Sequence, residues 1–288
     1  MQRPVSQIEL RHIVQTIRKK FGLDLDVLSQ AHLRVVLTGL IMEKGMRYPD
    51  ILVQRMLDYP YLLQELIYEL DQPESEMFRD PEVWVQIRTV VLPTLAAWRD
   101  DLTVWIPGCS SGYDLSSLAI LLHEEEPGEH TITGTSPFIR ERLEQRMTIR
   151  VSSVSRERLE EARRGILPAQ SLEWNRTNYT RSGGRSDFDH YVEKVDTTWQ
   201  RKNRLPGLTS FEEQELLPGK PGWKADLVLF RNRLLQLNRE AAEQVLHTLC
   251  DTLRPGGFLV LGFLDRYPDP DRFPLKPLKN KLGIYERI

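Results

Sequence analysis

From residue 102 onward, short runs of β-forming residues alternate with helical patterns. The first run, Leu102–Ile106, leads through a turn that ends at Gly112 into an apolar helix over 115–122. Further runs are Thr148–Ser152, Ala225–Phe230 and Phe258–Gly262, and helical patterns cover 156–164 and 239–253. Strands that alternate with helices form a parallel sheet with helices on both faces, because each parallel neighbour requires a crossover connection. The pattern therefore predicts the α/β fold class.

The N-terminal part of the chain is helical in pattern instead. Apolar residues recur at three- and four-residue spacing and stop at a glycine: Leu10, Ile13, Val14, Ile17, Phe21 and then Gly22. Three more amphipathic stretches cover 33–41, 48–57 and 61–70. We expect an all-α unit over 1–72, a linker at Asp71-Gln72-Pro73, and a second domain over 73–288.

Two polar stretches interrupt the strand–helix order. We expect an insertion over about 124–147 and a small β excursion over about 168–208. In the excursion, Ser182–Gly184 is predicted to form a hairpin-like turn between Asn178-Tyr179 and Phe188–Val195. The final stretch, Leu282–Arg287, is predicted to add an edge strand.

Composition excludes several classes of protein. The chain has 39 basic and 41 acidic residues, whereas a general nucleic-acid binder shows a basic excess. No apolar run approaches the roughly 18 residues of a membrane span, and the N-terminus lacks the apolar core of a signal peptide. With two cysteines far apart, Cys109 and Cys250, we expect a reduced cytoplasmic protein. The six histidines show no metal-ligand spacing, so no metal is expected.

A glycine-containing turn, Gly108–Gly112, follows the first predicted strand. Glycine lets the backbone approach a ligand closely, and the next helix offers free N–H groups. The spacing is neither that of a dinucleotide fold nor that of a phosphate loop. It is compatible with the amino-acid moiety of S-adenosylmethionine. The alternative, that the glycines serve tight packing only, is equally open.

Two polar groups are placed to reach the same cleft. Arg231-Asn232 follows the third strand, where side chains point into the cleft of a parallel sheet, although Asn232 is equally suited to cap the next helix. Arg79 follows the linker and an aromatic residue, and it is suited to neutralise a carboxylate. Taken alone, a surface ion pair is the favoured explanation for Arg79.

These features together, in this order, resemble the motifs of the CheR-type methyltransferases. The family pattern reads approximately N-x-T-x-F-F-R-D, W-S-A-G-C-S-T-G-E-E, C-R-N-V-x-I-Y-F and L-x-P-G-G-x-L-x-x-G-H-S-E. The matching segments here are Phe78–Pro81, Trp105–Gly112, Phe230–Asn232 and Leu253–Gly262. The helical N-terminal part is also similar, so the resemblance covers nearly the whole chain.

The resemblance implies a fold, a reaction and a site. The fold would be a Rossmann-like S-adenosylmethionine-dependent methyltransferase fold with an N-terminal all-α subdomain. The reaction would transfer a methyl group to glutamate side chains on the cytoplasmic stalk of a chemoreceptor. The implied catalytic residue is Arg79. The residues implied to bind S-adenosylmethionine are Ser75, Arg79, Gly108, Ser110, Gly112, Asp114, Ser153, Glu215, Leu216, Arg231 and Asn232.

Several polar positions depart from the family pattern. Pro73 and Ser75 replace the asparagine and threonine, Tyr113 replaces the first acid after the glycine turn, and Gln236-Leu237 replace Y-F. Ser153 stands where a carboxylate would pair with the ribose hydroxyls. Each lost charge-assisted hydrogen bond costs about 1.5–3 kcal/mol, or one to two orders of magnitude in affinity. Two hypotheses therefore remain: an active methyltransferase, or a catalytically silent CheR-fold protein that acts as a regulatory or protein-binding module.

Overall fold

A computed structural model describes residues 4–46, 48–71, 76–124, 146–202, 204–265, 268–269, 271–278 and 282–288 of the chain. The departures predicted at Pro73 and Ser75 lie outside these residues. So does nearly all of the insertion predicted over 124–147.

The N-terminal part forms four helices around its own apolar core. The helices are α1 (Gln7–Phe21), α2 (Gln30–Glu43), α3 (Ile51–Asp58) and α4 (Tyr61–Leu70). α1 begins where the Ser6 side chain accepts a hydrogen bond from Glu9 N, and the Glu9 carboxylate accepts one from Ser6 N in return. It ends at Gly22, which has a φ of 73° that glycine adopts without steric cost. The apolar stripe predicted for this helix is buried, which confirms the helical pattern.

A broken helix connects this unit to the sheet. α5 (Pro81–Gln86) continues through a π-helical segment, Ile87–Val91, into α6 (Leu92–Trp98). The helix packs by its buried residues, Val83, Trp84, Ile87 and Val91 among them, against the main core of the sheet.

Seven strands form the central sheet, and the predicted α/β class is confirmed. The elements that follow are β1 (Leu102–Pro107), α7 (Tyr113–His123), β2 (Met147–Ser153), α8 (Arg156–Arg164), β3 (Ile166–Leu167), α9 (Leu172–Arg181), β4 (Val192–Val195), β5 (Thr198–Arg201), β6 (Leu208–Glu213), β7 (Ala225–Phe230), α10 (Arg239–Thr252), β8 (Leu253–Leu261), β9 (Leu275–Pro277) and β10 (Ile284–Arg287). The strand order is β6-β2-β1-β7-β8-β10-β9. The first five strands are parallel, and β10 runs antiparallel to both of its neighbours. Every residue of β7 is buried, as expected for a strand covered on both faces.

The region predicted as a β excursion differs from the prediction. A three-stranded antiparallel sheet, β3-β5-β4, is present. However, Asn178 and Tyr179 lie in helix α9, and the turn at Ser182–Gly184 ends that helix rather than a hairpin. The apolar period of α9 is hidden because two of its buried residues are the amides Asn175 and Asn178, which bond to the backbone of Met77.

Two further strand assignments are corrected. β6 is an edge strand of the main sheet, and its half-exposed, polar sequence carries no buried apolar run that marks it as a strand. The C-terminal strand predicted over 282–287 is not at an edge, because β10 lies between β8 and the short strand β9.

Gly112 is predicted to be irreplaceable for packing. A Cβ there would lie 2.5 Å from the Ala162 Cβ, and its φ is 76°. Gly112→Ala should lower the free energy of unfolding in urea by about 2–4 kcal/mol, because both strain and overlap are added. Gly22→Ala is the control, since its φ of 73° is similar but nothing lies within 4 Å. It should cost about 1 kcal/mol, and equal losses in the two variants would contradict the overlap.

Candidate active site

Three strand ends meet where the strand order of the sheet reverses. β1 lies between β2 and β7, and all three are parallel, so their carboxyl ends lie side by side. Ligands bind at this position in open parallel sheets. The turn Gly108–Gly112 follows β1, Ser153 ends β2, and Arg231–Arg233 follow β7. We call the space among these three segments the cleft.

Strained backbone is concentrated around the cleft. Phe78, Asp80, Ser110 and Asn232 have φ values of 50°, 52°, 47° and 55°. Among the described part of the chain, one other non-glycine residue, Asp196, has a positive φ, and it lies in the turn between β4 and β5. Such a backbone costs on the order of 1–3 kcal/mol per residue and persists where surrounding contacts fix it. The cleft is therefore a rigidly built part of the fold.

Hydrogen bonds to side chains of α7 and α9 fix the strained segment that precedes α5. Phe78 N donates to the Ser117 Oγ at 2.9 Å, and Met77 N donates to the Asn175 Oδ1 at 2.9 Å. Both bonds are buried, so each is worth more than an exposed one. They explain why a polar α9 packs against this segment.

Arg231 ties three segments together beneath the cleft. Its fully buried guanidinium donates to the Asp114 Oδ1 at 2.7 Å, the Asp80 Oδ2 at 2.9 Å and the main-chain oxygen of Arg79 at 2.6 Å. The guanidinium carbon lies 5.7 Å from the Trp84 ring centroid. A buried charge needs such partners to offset its desolvation. Two predicted cofactor-binding residues, Arg231 and Asp114, thus bind each other.

The Arg79 side chain is partly exposed. Within the described residues, no carboxylate lies in ion-pair distance of its guanidinium. The surface ion pair that was the favoured explanation from sequence is therefore not seen there. Its catalytic role stays a prediction.

The two glycines of the turn have different surroundings. Gly112 packs against α8 at Ala162, which fits the packing explanation. Gly108 has a φ of 62°, and a Cβ there would lie 3.6 Å from the Arg233 Nε and 3.8 Å from the Phe230 ring. The space beside Gly108 is therefore filled by a guanidinium.

Asp71 enters the cleft from the end of α4 and is bound there. Its Oδ1 lies 2.6 Å from the Arg233 Nη2, and its Oδ2 accepts a hydrogen bond from the Ser153 hydroxyl. Its main-chain oxygen accepts a hydrogen bond from the Ser110 Oγ at 2.9 Å. All four residues are buried. We call Asp71, Ser110, Ser153 and Arg233 the Asp71 network.

Sequence reasoning predicted Ser110 and Ser153 for this cleft but missed Asp71 and Arg233. Asp71 was assigned to a linker. A signal for Arg233 was present, because the family pattern C-R-N-V has valine at that position. An arginine at this position indicates that the site differs from that of the family pattern.

Helix α4 makes a second contact with the part of the chain that carries the central sheet, residues 76–288, which we call the sheet domain. The Tyr68 hydroxyl donates to the Glu161 Oε1 at 2.8 Å, and the Arg158 guanidinium carbon lies 3.5 Å from the Tyr68 ring centroid. Glu161 also accepts from the Ser111 Oγ at 3.1 Å. Burial and the bond to Glu161 raise the pKa of Tyr68 to about 12, so its hydroxyl keeps its proton.

Helix α2 and the segment after β7 complete this interface. The His32 Nε2 lies 3.1 Å from the main-chain oxygen of Leu70, and burial lowers the pKa of His32, which favours a neutral ring that donates to this carbonyl. The main-chain oxygen of Gln236 accepts from Ser29 N at 2.7 Å, and its side chain accepts from the Arg233 Nη1 at 3.2 Å. Gln236 therefore supports the interface and the Asp71 network together.

Asp265 fixes the loop that carries the Arg-Asn pair. Its Oδ2 accepts from Asn232 N at 2.6 Å and from Gly262 N at 2.8 Å, and its Oδ1 accepts from Leu235 N at 3.3 Å. Burial raises the pKa of Asp265 to about 6, and the backbone hydrogen bonds oppose this rise only in part.

The amide of Asn232 is buried without a partner. Its residue is 8% exposed, and neither the Oδ1 nor the Nδ2 has a hydrogen-bond partner among the described residues. The capping role considered from sequence belongs to Asn238 instead, which accepts from Ala241 N at 2.8 Å at the start of α10. The amide lies against Gly262, which follows β8. A buried, unpaired amide at the carboxyl ends of the strands is a group that a ligand can satisfy.

The other predicted cofactor residues are less informative. Glu215 is exposed, and Leu216 packs against the core of the N-terminal helices. Tyr113 is buried at the start of α7. Ser75 lies outside the described residues. The assignment of these residues to cofactor binding stays a prediction.

The family described as CheR methyltransferase, SAM binding domain, matches residues 73–281. The chain belongs to this CheR family. Cher3 of Pseudomonas putida, a protein named as a methyltransferase, is 30% identical over 98% of this chain and 97% of its own length. The chemotaxis protein methyltransferase of Listeria innocua is 26% identical over 93% of this chain and 94% of its own length. Chemotaxis protein methyltransferase 1 of Pseudomonas aeruginosa is 27% identical over 81% and 82%.

Family membership identifies S-adenosylmethionine as the cofactor of the CheR fold. The glycine turn and the unpaired Asn232 amide suit such a ligand. The corner at Ser153, where the resemblance places the ribose, does not suit it, because Asp71 accepts the Ser153 hydroxyl hydrogen and the Arg233 guanidinium lies beside Gly108. As these residues are arranged, the cofactor does not fit that corner of the cleft.

None of the helices that the structure describes has the length and apolar character of a membrane span.

Asp265 predicts a pH dependence of stability. Its pKa is about 6 in the folded protein against an ordinary value of 3.8, so the folded protein binds the proton more tightly than the unfolded chain does. The resulting contribution to the free energy of unfolding is complete below pH 3.8 and is lost as pH rises through 6. The free energy of unfolding of the wild type, minus that of Asp265→Asn, should therefore fall by on the order of 3 kcal/mol between pH 4 and 7. Urea titrations of both proteins across this range measure it. A difference that does not vary with pH would contradict the buried, raised pKa.

Proposed function

We propose that this CheR-family chain is an S-adenosylmethionine-dependent protein-glutamate O-methyltransferase that acts on a chemoreceptor-like helical protein. The observation that carries the proposal is the unpaired, buried Asn232 amide at the strand-order reversal. Leaving both polar atoms of a buried amide unsatisfied costs about 1–3 kcal/mol. A ligand that bonds to the amide offsets this cost.

The chemistry of the cleft is consistent with a carboxylate acceptor. A glutamate side chain is already ionised at neutral pH, so it needs no general base. The partly exposed Arg79 guanidinium supplies a cation beside the cleft that can neutralise and orient the acceptor. Proximity and exclusion of water then supply most of the acceleration. The relatives named as chemotaxis protein methyltransferases support this acceptor class.

We further propose that the protein works in the cytoplasm, where chemoreceptor stalks are methylated. Both cysteines, Cys109 and Cys250, lie among the described residues as buried thiols and not in a disulfide, which suits a reducing compartment.

A second candidate function is a catalytically silent CheR-fold module that binds a partner protein. The Asp71 network favours it, because the ribose corner is filled by the chain's own groups. The two candidates differ in one measurable property. An active enzyme must bind S-adenosylmethionine, whereas a silent module need not.

The reaction is tested with S-adenosylmethionine tritiated on its methyl group and a panel of purified chemoreceptor signalling domains. A methyl ester of glutamate is base-labile, so treatment with alkali should release volatile tritiated methanol from the acceptor. Absence of base-labile label, with an enzyme preparation that demonstrably binds the cofactor, would support the silent module instead.

Asn232→Gly tests the contribution of the amide to ligand affinity separately from its contribution to stability. Glycine tolerates the φ of 55° at this position and removes the two unpaired polar atoms. The dissociation constant for S-adenosylhomocysteine, measured by calorimetry, should rise about tenfold or more. The free energy of unfolding should not fall, because the variant also removes the cost of two unsatisfied polar atoms.

Asn238→Ala is the matched control for that variant. It removes the N-cap of α10 and the bond from the Asn238 Nδ2 to the Asp26 main-chain oxygen, and it should lower stability by about 1–2 kcal/mol without changing cofactor affinity. If Asn232→Gly left the dissociation constant unchanged, the amide would not contact the cofactor.

A further inference from the structure

The Asp71 network satisfies both carboxylate oxygens of Asp71 inside the cleft. One oxygen is paired with Arg233 at 2.6 Å, and the other accepts from Ser153. The side chain is 3% exposed. A carboxylate that is bound on both sides and hidden from water occupies its site in the way a bound ligand does.

This occupied position coincides with the place that the cofactor needs. Ser153 stands where the family pattern has the ribose-binding carboxylate, and its hydroxyl is used by Asp71. The Arg233 guanidinium lies over Gly108, at the point where the turn lets a ligand approach the backbone. A serine hydroxyl has one hydrogen to donate, and Ser153 donates it to Asp71, so Asp71 and a ribose oxygen compete for that donor.

Asp71 belongs to the N-terminal helical part rather than to the sheet. It directly follows α4, whose Tyr68 and Leu70 are bound by Glu161 and His32. Withdrawal of Asp71 from the cleft therefore requires the end of α4 to move or unwind, with loss of the contacts around it.

We propose that Asp71 is an intramolecular occupant of the cofactor site, held there by Arg233. S-adenosylmethionine binds only after the end of α4 withdraws from the cleft. The inference rests on the proposed function, because it presupposes that the open cleft accepts this cofactor. Arg233, where the family pattern has valine, is the residue that makes the occupied state stable.

The opposite role for Asp71 makes a different prediction. If Asp71 were a relocated ribose-binding carboxylate, it would hold the cofactor, and its removal would weaken binding. The arrangement favours occupation, because Arg233 already neutralises the carboxylate and both of its oxygens have partners. The sign of the change in affinity separates the two roles.

Arg233→Val and Asp71→Asn test the proposal by calorimetry with S-adenosylhomocysteine. Each variant removes one side of the ion pair, so the closed state loses stability and a larger fraction of the protein is open. Both variants should bind the ligand about ten- to a hundredfold more tightly than the wild type. Both should also melt at a lower temperature without ligand, because a buried ion pair is broken.

Glu124→Gln is the matched control. Glu124 and Arg88 form another buried ion pair, with side chains 1% and 4% exposed, and Glu124 lies at the far end of α7 from the cleft. This variant should also lower the melting temperature but leave the affinity for S-adenosylhomocysteine unchanged. A gain in affinity in the control would show that general loosening, not the Asp71 network, admits the ligand.

The proposal is overturned if neither Arg233→Val nor Asp71→Asn binds S-adenosylhomocysteine more tightly than the wild type, including the case of no binding at all. Weaker binding by Asp71→Asn alone would overturn it in favour of the relocated carboxylate. Failure of the proposed function is recognised separately. In that case a variant binds S-adenosylhomocysteine tightly, yet no chemoreceptor domain acquires a base-labile methyl group.

Discussion

The buried guanidinium of Arg231 is the contact on which the candidate site depends. It binds carboxylates from two different segments, Asp80 before α5 and Asp114 at the start of α7, while its own backbone continues β7. Removing Arg231 would take the shared guanidinium from both carboxylates, at a cost on the order of several kcal/mol. Together with the bonds to Ser117 and Asp265, this cluster keeps the strained backbone at Phe78, Asp80 and Asn232 in place. The side of the cleft that Arg231 supports is therefore rigid, whichever group occupies the cleft.

Two arginines at the end of β7 therefore do different things. Arg231 points into the protein and joins segments of the sheet domain. Arg233, two residues later, lies in the cleft and pairs with Asp71 from the helical part. The family motif treats the Arg-Asn pair as one functional unit. In this structure the two residues differ, because Arg231 binds other segments of the protein whereas the Asn232 amide has no hydrogen-bond partner among the described residues.

Sequence patterns predicted the elements that bury apolar residues on one face or on all sides. They failed where the buried residues are polar or where a strand is exposed. α1 and β7 are found as expected, because their apolar residues follow a helical period or a continuous run. α9 was missed because buried Asn175 and Asn178 interrupt its apolar face. β6 was missed because an exposed edge strand needs no apolar run. The positions of Ser110 and Ser153 in the cleft were predictable from their strand ends. Their partner Asp71 was not, because the contact depends on how α4 docks, and no local pattern encodes that.

The docking of α4 has a thermodynamic consequence if Asp71 occupies the cofactor site, as we propose. The free energy that holds the end of α4 in the cleft is then subtracted from the free energy of cofactor binding. The coupling is reciprocal, so a bound cofactor must weaken the contacts of α4 by the same amount. Tyr68 and His32 lie in those contacts, on the face of the helical part that meets the sheet domain. On this proposal, a partner that displaces α4 or α2 would raise cofactor affinity without touching the cleft, and Ser153 would be the residue at which the two events are coupled.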